Sequence, residues 1–176
     1  MYKNLYLARL VAMLVALAAL AAFFLPYISA TPGYRASMAY QAGDKPFEDV
    51  DITVGEIMDM SLYKYARMYF QGGNTFFGSL GTGILYGAIF SAVGVFALLT
   101  LLAAWRVRPI WTLVCDLLMC GAVYVVNWDF VDRGVMPHYT RVWGIAYQAY
   151  YPLAAVIAAC AVCMFLVERR GGRIAR

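Results

Sequence analysis

Charge is scarce in this sequence. Only 14% of its 176 residues are Asp, Glu, Lys or Arg, where a soluble domain carries about 25%. Histidine is scarcer still, since His138 stands alone. No Ser-His-Asp arrangement, zinc-binding helix motif, phosphate-cradling glycine loop or basic nucleic-acid stripe is present. These absences argue against hydrolytic, zinc-dependent and nucleotide-dependent chemistry, and no cofactor and no nucleic-acid partner is expected. The net charge of +4 is no nucleic-acid signal, because the basic residues sit where membrane topology needs them. Residues 28–75 hold no cysteine, so no exported disulfide and no outer thiol pair is available.

What is abundant is apolar: 64% of the chain. Four runs, about 7–27, 76–105, 110–128 and 143–167, are each long enough to cross a bilayer core of ~30 Å at 1.5 Å per residue. In lipid the backbone must satisfy its own hydrogen bonds, so each run is expected to be a helix. The expected fold is all-α: one integral membrane four-helix transmembrane bundle over 1–176, with an extracytoplasmic first loop (28–75) carrying an amphipathic helix. A second outer loop spans 129–142 and a tail spans 168–176.

Arg and Lys favour the cytoplasmic flanks of spanning helices. One set of flanks holds Lys3, Arg9, Arg106, Arg108, Arg169, Arg170, Arg173 and Arg176 against Glu168 alone. The other holds Arg35, Lys45, Lys64, Arg67, Arg133 and Arg141 against Asp44, Glu48, Asp49, Asp51, Glu56, Asp59, Asp129 and Asp132. Both termini are therefore expected in the cytoplasm of a cell (plasma or inner) membrane. Phe23, Phe24, Tyr27, Phe76, Phe77, Trp128, Trp143 and Tyr147 would form an outer aromatic belt, with Trp105 and Trp111 at the inner interface. The first run could instead be a cleaved leader ending at Ile28-Ser29-Ala30, although it exceeds the usual ~7–15-residue apolar core.

Within 28–75, Thr31-Pro32-Gly33, Gly43-Asp44 and Lys45-Pro46 read as loop with a short strand or two. Thr53-Val54-Gly55-Glu56 fits a capping box, opening a helix over about 53–71 that Gly72-Gly73 stops. Val54, Met58, Ser61, Leu62, Tyr65, Met68 and Tyr69 share one face of it. That face either docks a partner or caps the bundle; the second needs no additional protein. In the spans, Ala8, Ala12 and Ala16, and likewise Gly83, Gly87 and Ser91, make small-residue stripes at four-residue spacing. They predict close pairing of the first two spans with each other or with a second copy.

Asp116 is the carboxylate farthest inside a span, about two turns from the inner end of the third. Such an acid is a candidate proton or cation site, or it bonds Thr112 or a neighbouring span. Cys160-Ala161-Val162-Cys163 has CxxC spacing. Lipid burial disfavours the thiolate that redox work requires, and a small-hydrophobe role fits these cysteines. The acids at Asp44, Glu48, Asp49 and Asp51 lack calcium-loop spacing. Asn127, Asp129, Asp132, Arg133, His138 and Arg141 form a polar outer loop able to bond residues 28–75.

The plan of four spans with a large first outer loop resembles that of claudin-type tetraspan proteins. Residues 28–75 hold neither the tryptophan nor the paired cysteines of the claudin signature, so no claudin function is carried over. Four-helix quinone-linked disulfide oxidases and vitamin K epoxide reductases share the span count, but carry their active cysteines at the outer surface. The sequence points first to a non-enzymatic accessory, scaffold or assembly subunit binding itself or another membrane protein. A small transporter or channel component using Asp116 is the alternative, and a membrane thiol oxidoreductase using Cys160 and Cys163 is the third.

Overall fold

The computed structural model describes the backbone of residues 2–174 and the side-chain surroundings of residues 5–170. In chain order the elements are α1 (Tyr2–Ala22), β1 (Pro26–Ala30), α2 (Pro32–Met38), a 3-10 turn (Ala39–Gln41), α3 (Val54–Ile57), β2 (Asp59–Ser61), α4 (Leu62–Gln71), α5 (Gly73–Phe77), α6 (Leu80–Trp105), α7 (Pro109–Asp132), β3 (Arg141–Trp143) and α8 (Ile145–Ile174). Helices α1, α6, α7 and α8 are long and apolar enough to cross a membrane, with mean hydropathy of 2.2, 2.2, 1.8 and 2.2 over their best windows. The chain is a multi-pass membrane protein.

The four long helices pack as a ring in which α1 lies against α8 and α6, and α7 against α6 and α8. Successive members run antiparallel. One end of the ring carries the start of α1, the α6–α7 turn and the end of α8, and is rich in arginine. The short elements cover the other end.

The spans differ from expectation at their borders. The first helix stops at Ala22, and residues 26–30 become strand instead of a last helical turn. The second run splits at Gly78, whose φ of 63° ends α5 before Ser79 caps α6. The third continues to Asp132, and the fourth starts at Ile145 and runs past 167. Proline at the first turn of α7 suits a helix start, where its missing N–H has no intrahelical partner.

The cap also corrects the all-α expectation. Three short antiparallel strands form a sheet in the order β2-β1-β3, with Ile28 paired to Met60 on one side and Trp143 on the other. Strands of three to five residues show no readable alternation, so periodicity gave no warning. Gly144 is required beside this sheet. Its N–H donates to Tyr27 O at 2.8 Å, and a Cβ there would overlap the Pro26 carbonyl.

The single helix expected over 53–71 is two helices. The capping box forms as read: Thr53 Oγ1 accepts from Glu56 N, and Glu56 Oε2 accepts from Thr53 N, both at 3.2 Å. The helix it opens lasts four residues. Residues 59–61 then extend to pair with β1, and Ser61 acts as a second cap by accepting from Lys64 N. Ladder bonds to β1 outweigh the weak intrinsic preference of a short polar stretch for helix.

Candidate functional site

The covered end is built on aromatic residues from every layer. Tyr27 of β1, Tyr65 and Tyr69 of α4, Phe90 of α6, Phe130 of α7 and Tyr150 of α8 are all buried. Phe130 meets Tyr65, Phe90 and Tyr27 with ring centroids 4.9, 5.4 and 6.1 Å apart. The stripe proposed as a docking face, Met58, Leu62, Tyr65, Met68 and Tyr69, thus turns inward. Four of these five are buried and Met68 is half-buried. The chain's own helices occupy that face.

Polar groups at this end are tied to one another. Tyr27 Oη donates to Asn127 Oδ1 at 2.5 Å, and Asn127 Nδ2 donates to Tyr151 Oη at 3.2 Å. The Arg133 guanidinium pairs with Asp129 and donates to Tyr69 Oη at 3.0 Å. It also lies 4.9, 5.5 and 5.9 Å from the ring centroids of Tyr86, Tyr69 and Phe77, so one cation joins α4, α5, α6 and α7. Burial raises the phenol pKa of Tyr69, against the pull of Arg133. Burial likewise pushes Tyr65 and Tyr27 above the ordinary tyrosine range. Among the described residues Tyr65 Oη makes no hydrogen bond of good geometry, although the Arg141 charge acts on it. These phenols stay neutral: Tyr27 and Tyr69 pack and hydrogen-bond, and Tyr65 packs. Nearer solvent, Arg35 donates two 2.8 Å bonds to Asp59, and this holds the Asp59 carboxyl below its usual pKa.

The small-residue stripes serve the α1–α6 approach and other contacts besides: Ala12 clusters with Ala104 of α6 and with Ala161 and Met164 of α8. Ala12 and Ala16 are fully buried and Ala8 half-buried, on a helix whose main neighbour is α8. The stripe of α6 receives α4 and α5: Gly83 touches Gly73 and Tyr69, and Gly87 touches the Phe70 ring. Ser91 lies in a groove with Phe23, Phe24 and Phe70. The α1–α6 approach also uses Gly94, which touches the Phe23 ring.

Asp116 is 1% exposed on the inward stripe of α7, with Thr112, Met119 and Val123. The Thr112 hydroxyl is committed to Arg108 O at 3.0 Å, and among the described residues Asp116 Oδ1 has no partner. Arg9 is the residue that sequence reasoning missed. It stands as far into α1 as Asp116 stands into α7, about 10 Å at 1.5 Å per residue. Its Nε is buried and has no partner among the described residues. Read as a flanking charge, Arg9 in fact shares helical phase with Ala12 and Ala16, and that phase was the available signal. Neither residue joins an ion pair among the described residues.

All four cysteines are free thiols; Cys115 is buried and Cys163 exposed. Cys160 and Cys163 line a groove of about 720 Å³ between α1 and α8. Among the described residues, no three His, Cys, Asp or Glu side chains converge on a metal-sized space. No family model, no curated protein and no solved structure matches this chain.

Proposed function

We propose that this protein is a non-enzymatic accessory or assembly subunit of a plasma or inner membrane, which seats a transmembrane helix of a partner protein between α1 and α8. The basic end faces the cytoplasm with both termini, and the strand-and-helix cap lies outside. The single observation that carries the reading is the α1–α8 groove. It is lined by small residues (Ala8, Ala155 and Ala159) beside bulky ones (Leu7, Val11, Val156 and Leu166). Helices associate in lipid where small residues let backbones approach, and this mixture suits that packing. The inward-turned Tyr and Met stripe supports the same division of labour, with the cap consumed by the chain's own fold and the membrane face left for association.

Affinity purification in native nanodiscs, with cross-linking from Cys163, tests this. The wild type is expected to retain a stoichiometric membrane partner cross-linked at Cys163, and Ala159→Trp is expected to lose it. Recovery as a monomer without a partner overturns the proposal, and a Cys163-linked homodimer makes the occupant a second copy.

One observation favours a second reading. Holding an ionisable acid at a span's centre costs ~2.5–3.5 kcal/mol, and such residues mark ion or proton paths. Among the described residues Asp116 keeps one oxygen unpartnered, and Arg9 Nε is a second buried unpartnered group on a spanning helix. If Asp116 carries a proton or cation, Asp116→Asn abolishes flux in proteoliposomes while the folded fraction is unchanged. Equal flux in the variant removes this reading.

A further inference from the structure

We propose that the start of α7 is a seat for one anionic phospholipid, with its phosphate on Arg106, Arg108 and Arg169 and its acyl chains in the grooves either side of Trp111. Two apolar grooves flank the first turn of α7. One, of about 350 Å³, runs between α6 and α7 along Leu99, Leu102 and Ala103. The other, of about 490 Å³, runs between α7 and α8 along Ile110 and Phe165. Arg108 and Trp111 line both, Arg106 lines the first, and Arg169 lines the second. Two apolar slots converging on one cationic point match a molecule with two tails and one charged head.

The charge balance commits the head to an anion. Three arginines meet Glu168 as the one acid lining either groove. Arg106, Arg108 and Arg169 form no ion pair among the described residues. The Arg169 guanidinium lies 4.9 Å from the Phe165 ring centroid, at the mouth of the α7–α8 groove. The helix start adds to this. Arg108 at the cap provides no side-chain acceptor, so the amides of Ile110 and Trp111 are left for an incoming anion. The grooves lie on spanning helices, where acyl chains are the surrounding solvent. The head alone therefore decides selectivity, and basic pockets between spanning helices recognise anionic heads. This proposal is independent of the α1–α8 groove and of Asp116.

The full chain, purified into phosphatidylcholine nanodiscs with a minor fraction of phosphatidylglycerol of the same acyl chains, provides the test. Native mass spectrometry reads the retained lipid. Wild type is expected to enrich phosphatidylglycerol at least about tenfold over its bulk share, below the roughly hundredfold that three arginines at about fivefold each would give if fully additive. Arg106→Gln with Arg108→Gln lowers the ratio severalfold, to what Arg169 alone supports. Ala103→Trp, which fills one groove and keeps every charge, also lowers it. Arg170→Gln, a basic residue of the α1–α8 groove, leaves it unchanged. Bulk ratio in the wild type overturns the proposal. So does equal loss in Arg170→Gln, which would mean diffuse surface charge, or displacement by inorganic phosphate alone, which would mean a phosphate site without lipid seating. Melting in pure phosphatidylcholine checks each variant's fold. If the double variant fails it, Arg169→Gln and Ala103→Trp decide the question.

Discussion

Single side chains at the covered end do several jobs at once, so their removal is costly in distinct ways. Phe130 is fully buried between Tyr27, Tyr65 and Phe90. Phe130→Ala is expected to cost ~3–5 kcal/mol, from lost transfer energy and the remaining cavity. Reversible unfolding in mixed micelles measures it, and a loss below ~1 kcal/mol would mean that the surrounding rings collapse into the space. Arg133 differs because Asp129 is only 7% exposed. Arg133→Leu strands that carboxylate and should cost ~3–5 kcal/mol. Arg133→Lys keeps the charge, loses the planar stacking on Tyr69 and Tyr86, and should cost clearly less in the same assay. Equal costs for the two would show that stacking, and not charge pairing, holds the site.

At the scale of elements, two junctions hold the cap. Arg35 joins α2 to Asp59 of β2 through two hydrogen bonds. The folded pKa of Asp59 is depressed, with the Arg35 bond its largest cause. The contact therefore contributes fully above the unfolded value of about 3.9 and is lost as pH falls through the lower folded value. The Ala30 amide, bonded to Met58 O across this sheet, should lose hydrogen-exchange protection only in that acid window. Arg35→Ala should remove the pH dependence there, and unchanged acid loosening in that variant would assign the effect to another group. The second junction is α5 on α6. A Cβ at Gly83 would overlap Gly73 backbone and crowd the Tyr69 carbonyl, atoms that cannot rotate away. Gly83→Val should cost ~3 kcal/mol, the upper end of overpacking, in the micelle unfolding assay. Gly81, whose added Cβ would meet only Ser79 Oγ at 3.7 Å, should accept Ala without loss of stability, since Ala favours helix over Gly.

For the whole molecule, four long apolar helices in an antiparallel ring bring the start of α1 and the end of α8 to one side. Phosphatase and fluorescent reporters fused in turn to each terminus should give the same compartment, and a reporter in the 43–46 turn the opposite one. Termini reporting opposite faces would require an odd number of crossings. The arginines of the basic end would then no longer share one leaflet.

Much of this was legible in the sequence because its causes are local. An apolar run of some twenty residues has one way to satisfy its peptide groups in lipid, and Thr53 and Glu56 need only each other to form a capping box. Gly83, Gly87, Ala12 and Ala16 announced close packing by their size alone. Which surfaces they pack against was decided only when the chain closed on itself. Gly83 and Gly87 of the α6 stripe met α4 and α5 while Ser91 faced the end of α1, residues 59–61 gave up helix for a ladder with β1, and Arg9 turned inward with the alanines of its own face. Size and periodicity act within one segment, whereas pairing and burial depend on what another segment brings alongside.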